Sequence, residues 1–166
     1  MKKSLILIAM VAMATQIKAA DGGEQFLQLS LTPDIALHSK DTTIKGISLN
    51  IWGENPQNGL ALGFVNGSTG ESSGFSWAFI ANYAESYTGV QWAFVNVSKT
   101  SFKGWQSGAV NYSTGTFTGL QTGFVNYAEN LHGVQLGFAN IAMNNGWFDE
   151  FPNKLAKGFP FLNWSF

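Results

Sequence analysis

The chain has 166 residues, enough for a single domain, and contains neither cysteine nor arginine. The first absence excludes disulfides, thiol catalysis and thiolate metal sites. The second, with a formal net charge of −1, leaves no basic patch and argues against nucleic acid as a partner. Charged residues make up only 11% of the chain, against about 25% in an average protein, so an ordinary charged surface does not cover it.

The chain opens with "MKKSLILIAMVAMATQIKAA". Lys2 and Lys3 precede an apolar run from Leu5 to Ala14, and small residues follow at Ala19 and Ala20. The run is too short to span a bilayer, which needs about 20 residues, and its flanks are those of a cleaved bacterial secretory signal. Residues 1–19 are therefore expected to be removed, with Ile17 and Ala19 in the recognition positions. Lys2, Lys3 and Lys18 leave with the signal, so six lysines face ten acidic residues and the mature domain, 20–166, carries a net charge of −4.

A repeat follows: "GLALGFVN", "GFSWAFIAN", "GVQWAFVN", "GWQSGAVN", "GLQTGFVN" and "GVQLGFAN". The opening glycines are Gly59, Gly74, Gly89, Gly104, Gly119 and Gly133, and the closing asparagines are Asn66, Asn82, Asn96, Asn111, Asn126 and Asn140. The glycines are 15 residues apart except for the last pair, which are 14 apart. Regular repeats span 59–142; "IKGISLNIWG" before them and "GFPFLNWSF" at the end are degenerate copies.

Inside each unit the side chains alternate with period two, as in a strand. One face takes large groups closed by asparagine (Val90, Trp92, Phe94, Asn96); the other is small or polar (Gly119, Gln121, Gly123, Val125). Stretches such as "STGT" and "AEN" have turn composition, and so does "GSTGESSG", which lacks the lysine of a phosphate loop.

Two all-β architectures fit this pattern. In one, an antiparallel meander closes into a small barrel of about 8 to 10 strands, with Tyr112 and Tyr127 covering the opening glycine of the next strand. In the other, each 15-residue unit is one coil of a parallel β-solenoid and the asparagines stack. The large apolar face would then be its core, with Gln121 pointing outward.

The barrel is favoured. The alternation runs for about eleven residues, enough for a tilted membrane strand of about 9 to 11. The six phrases are also free of charge, and Glu71, Glu85, Lys99, Lys103 and Glu129 lie in or beside the turns.

Residues 143–157 break the period and hold Trp147, Phe148 and Phe151. They read as a cap, or as a loop of the kind that hosts binding sites. A closing strand, 158–166, places Leu162, Trp164 and the last residue, Phe166, on one face. This ending resembles the terminal aromatic signature of outer-membrane barrels, which implies recognition by barrel-assembly machinery and contact with outer-membrane lipids.

The repeated phrase Gly-apolar-Gln-x-Gly-x-x-Asn, from about Ile44 to the end, resembles an uncharacterised group of Gram-negative surface-repeat proteins. "GLALGFVN" and "GFSWAFIAN" depart from it by lacking the glutamine. The resemblance implies an exported envelope or surface protein and no activity.

Catalytic, cofactor and metal sites find no candidates. The two histidines, His38 and His132, lie in separate segments and read as ordinary exposed side chains rather than members of a triad or metal set. Asp149 and Glu150 are adjacent, so on a strand they would point to opposite faces. Of the four sequons, at Asn66, Asn96, Asn111 and Asn163, three follow from the repeat, and they read as strand-end asparagines rather than glycosylation sites.

The functional expectation is a non-enzymatic envelope protein in the outer membrane or at the cell surface. As a barrel it would have a structural, surface-interaction or minor permeation role. The alternative is a soluble periplasmic or surface-exposed solenoid that acts as a binding module.

Overall fold

Equivalent residues of successive repeats lie side by side. Asn82 pairs with Asn96, Gly89 with Gly104 and Gln91 with Gln106, all in one parallel ladder. The computed structural model describes residues 22–149 and 151–166; the expected signal and Glu150 lie outside the described residues.

The strands are β1 (Glu24–Thr32), β2 (Ile35–Ala36), β3 (Thr43–Asn55), β4 (Asn58–Trp92), β5 (Val95–Ala142) and β6 (Gly158–Ser165), in sheet order β2-β1-β3-β4-β5-β6. Drawn straight at about 3.3 Å per residue, a strand of β5's length would reach about 160 Å. Instead the described chain winds as a β-solenoid of about six turns without a helix.

This overturns the antiparallel meander and the barrel. The segments expected to reverse the chain do not: "STGT", "AEN" and "GSTGESSG" all remain extended within β5 or β4. Tyr112 does not cover a glycine but stacks on Tyr127, with ring centroids 4.8 Å apart.

The solenoid also departs from expectation in which face is inside. Gln121 is 0% exposed, whereas Phe124 is 62% exposed. Phe124 and Asn126 have the same strand parity, yet Asn126 is buried; the chain turns a corner between them and the facing inverts.

A coil of 15 residues has a narrow interior, and in the central coils it holds one aromatic column. Tyr87, Phe102 and Phe117 stack there, at 5.9 Å and 5.1 Å, with Leu131 also buried. Asn, Gln, Ser and Ala fill the remaining space, and the other large rings are left outside.

Buried amides need partners, and the stacking supplies them. Nδ2 of Asn96 donates to Oδ1 of Asn111 at 2.9 Å, Asn111 to Asn126 at 2.8 Å, and Asn126 to Asn140 at 2.8 Å. The other Nδ2 hydrogen of Asn111 goes to the Thr122 carbonyl at 3.0 Å. The glutamine column runs in the opposite sense: Gln135 donates to Gln121 at 2.8 Å and Gln121 to Gln106 at 3.1 Å. Gly119 shows why each phrase opens with glycine: its φ is +129°, and a Cβ there would overlap the Gly104 carbonyl.

Both ends of the parallel ladder depart from the repeat. β1 continues it in parallel on β3, and β2 folds back antiparallel on β1. At the other end β6 runs antiparallel along the last coil, from Gly133↔Ser165 to Ile141↔Gly158. Segment 143–157 joins them; Leu155 and Ala156 are buried, and Asn145 Nδ2 donates to the carbonyls of Ala156 and Trp164 at 3.1 Å and 2.9 Å.

Candidate functional site: an uncharged apolar face and its groove

The side chains excluded from the narrow interior line up on one outer face. Because the ladder is in register, each position of the phrase becomes a column. Leu29 pairs beside Leu49, Leu49 beside Leu62, and Leu136 beside Leu162. Trp77 and Trp92 occupy the same column in the coils between. A second column starts Leu27, Ile47, Leu60 and ends Val134, Trp164. A third holds Phe64, Phe79, Phe94, Phe124 and Phe138, each at least half exposed.

From β1 to β6 the face is nine strands wide, eight spacings of about 4.8 Å or roughly 38 Å. None of its three columns contains a charged residue. Glu71, Glu85, Lys99, Lys103 and Glu129 are exposed elsewhere on the coils.

Ring geometry along the third column varies: Phe64 and Phe79 meet edge to face, with centroids 6.0 Å apart and planes at 68°. Phe124 and Phe138 are 4.9 Å apart with their planes 3° from parallel. Such a stack presents ring edges outward, so a sugar ring, which lies flat on an aromatic face, finds no platform within it. Flexible hydrocarbon can fill the furrows between columns. One coil is lower than the rest, with Ser107 and Ala109 at the column positions; there Trp105 Nε1 donates to Thr122 Oγ1 at 2.9 Å.

At the amino-terminal end the face deepens into a groove of about 970 Å³. Its floor includes Leu49, Ile51 and Leu62, the β2 hairpin contributes Ile35 and Leu37, and Trp77 and Phe79 close the far side. The volume is at the upper end of the range for small-molecule sites, about 300 to 1,000 Å³. Nearby, Tyr83 Oη donates to Glu54 at 2.6 Å and accepts from Trp52 Nε1 at 3.0 Å. Burial and the bond to Glu54 push this phenol up to about 12.

The repeat asparagines singled out in the sequence are all buried in the ladder, and Asn163 is buried too, bonded to the Ala156 carbonyl at 2.7 Å. These side chains are inaccessible to modification in the folded chain. The opening glycines stack over one another. Leu162 and Trp164 join the apolar face, and Phe166 is 73% exposed. His38 lies near the β2 hairpin and His132 near the opposite end of the sheet, so they do not meet. Among the described residues no cluster of three or more His, Asp or Glu could hold a metal ion.

Sequence reasoning missed the groove, because its walls come from β1, β2, β3 and β4 and depend on which face is turned out. No protein-family model, curated protein or solved structure matches this chain.

Proposed function

We propose that the protein is an exported, non-enzymatic β-solenoid binding module of the bacterial cell envelope, which lies with its apolar face against lipid. The observation behind this reading is the nine-strand, charge-free face of exposed Phe, Trp, Leu and Ile. An apolar surface of this extent on a water-soluble chain marks a docking site. Exposed phenylalanines and tryptophans suit the boundary between headgroups and acyl chains, while the charged residues remain on other parts of the coil, toward water. The secretory signal read from residues 1–19 supports the envelope location.

Sedimentation of the mature chain with vesicles of neutral phospholipid tests this. Association is expected to persist at high salt, since apolar burial drives it, and to be lost in a Phe79→Glu, Phe94→Glu variant whose circular dichroism is unchanged. If the folded wild-type chain stays in the supernatant, the reading is wrong. It is also wrong if salt alone releases the chain.

A further inference from the structure

We propose that in water the apolar face is covered by a second copy of this chain, in a face-to-face dimer whose two-fold axis lies between the faces and parallel to the strands. The dimer is the form that exists before lipid is met, and a partner copy and a lipid surface compete for one face. This goes beyond the surface reading and does not rest on it.

The face has the extent of a stable interface. At about 4.8 Å per strand and about 6.6 Å for each two-residue step between columns, its nine strands and three columns make a patch of roughly 860 Å². A stable complex buries about 800 Å² on each partner. No column carries a charge, so apposing two identical faces brings no like charges together. Sheets packed face to face sit about 10 Å apart with their strands within about 30° of alignment, which an axis parallel to the strands allows.

The relief of the face fits its own copy. Counting strands from β1, the six phrases are the third to the eighth and β6 is the ninth. The groove lies over the first three, where Leu49 and Leu62 form the floor. Trp77 and Phe79 stand up as a ridge on the fourth strand, and Trp92 and Phe94 continue it on the fifth; all four are exposed. The sixth strand drops, because the register places Ser107 beside Trp92 and Ala109 follows. Phe124 and Phe138 rise again on the seventh and eighth as one stack, their centroids 4.9 Å apart.

A two-fold axis parallel to the strands leaves each column over itself and reverses the strand order. Centred on the fifth strand it overlaps all nine: first over ninth, second over eighth, third over seventh and fourth over sixth. Trp77 then enters the space above the partner's Ser107, and Phe79 the space above the partner's Ala109. The stack of Phe124 and Phe138 enters the partner's groove of about 970 Å³, between its β2 hairpin and its tryptophan ridge. High points meet low ones throughout, except at the fifth strand, which lies on the axis. Rotation about the solenoid axis instead would set each strand on its own copy, ridge against ridge. An isologous contact of this kind closes after two copies.

The test is sedimentation velocity of the mature chain without lipid, in parallel with vesicle sedimentation. A dimer is expected in the micromolar range, which interfaces of this size reach or better. Ser107→Trp fills the low coil and should weaken the dimer by about tenfold or more, with unchanged circular dichroism and intact vesicle association. Adding Trp77→Ser exchanges ridge and hollow, so the Trp77→Ser, Ser107→Trp double variant should dimerise again.

The inference is overturned if the wild-type chain stays monomeric, if it assembles beyond two copies, if folded Ser107→Trp dimerises as tightly as before, or if the double variant remains monomeric. Vesicle association is scored separately: a monomer that sediments with vesicles keeps the surface reading and removes the dimer. A dimer that ignores vesicles would support the dimer and remove the surface reading.

Discussion

Asn111 and Asn126, one coil apart, are joined side chain to side chain by a 2.8 Å hydrogen bond. In a parallel ladder the spacing is about 4.8 Å between strands, inside the Cα range of about 4.4 to 6.8 Å that a disulfide accepts. The Asn111→Cys, Asn126→Cys double variant has no competing thiol, because the native chain lacks cysteine. It should oxidise rapidly to an intramolecular disulfide in the folded state, seen as a mass loss of two hydrogens without dimer on a non-reducing gel. Failure of the folded variant to cross-link would contradict the coil register.

Opposite faces of one strand should respond in opposite ways to substitution. Gln121→Leu breaks the bonds to Gln106 and Gln135 and leaves each amide one hydrogen bond short, at a cost of roughly 1 to 3 kcal/mol on the scale of about 0.5 to 1.5 per buried hydrogen bond. Phe124→Ser, on the exposed face, loses only its stack on Phe138 and should cost about 1 kcal/mol. Urea denaturation of the two variants decides the matter; the reverse ranking would mean that the faces are inverted.

Gly119→Ala meets two obstacles at once. Its φ of +129° suits glycine, and the added methyl would strike the Gly104 carbonyl in the neighbouring coil. Backbone strain alone costs about 1 to 3 kcal/mol, and the overlap adds to it. Gly70→Ala is the control, since its φ is also positive, +57°, but no atom lies near the new Cβ. Thermal melting should show a clearly larger drop for Gly119→Ala.

Stability should fall at alkaline pH. Tyr87 is buried in the aromatic column without a protein partner for its hydroxyl among the described residues, and burial raises its phenol well above the ordinary value. The folded state favours the neutral form, so this contribution is complete below about pH 10, the unfolded value, and is lost as pH rises beyond it. Tyr83, raised to about 12, acts in the same direction between about 10 and that value. Tyr87→Phe keeps the stack with Phe102 and removes the ionisable group. It should flatten the decline above pH 10 in a series of denaturation midpoints; an unchanged alkaline limb would rule Tyr87 out as its source.

Several features were legible from residues alone. Glycines and asparagines recurring about every 15 residues, with alternation between them, determine an all-β repeat. Identical residues at identical positions also contain the clue to stacking, because Asn beside Asn and Gln beside Gln satisfy each other's amides only when strands are parallel and in register.

Strand direction and facing were decided by tertiary structure. Alternation has no sign: a pattern of large and small residues looks the same whichever side is buried. "STGT" can reverse a chain or pass extended around a coil, and its composition suits both. What decides is volume. A 15-residue coil closes around one column of rings, here Tyr87, Phe102 and Phe117, so Trp92, Phe94 and Phe124 are turned outward and amides take the inside. The groove follows from that choice: it exists only where the β2 hairpin, remote in sequence from Trp77 and Phe79, is laid beside the same outward face.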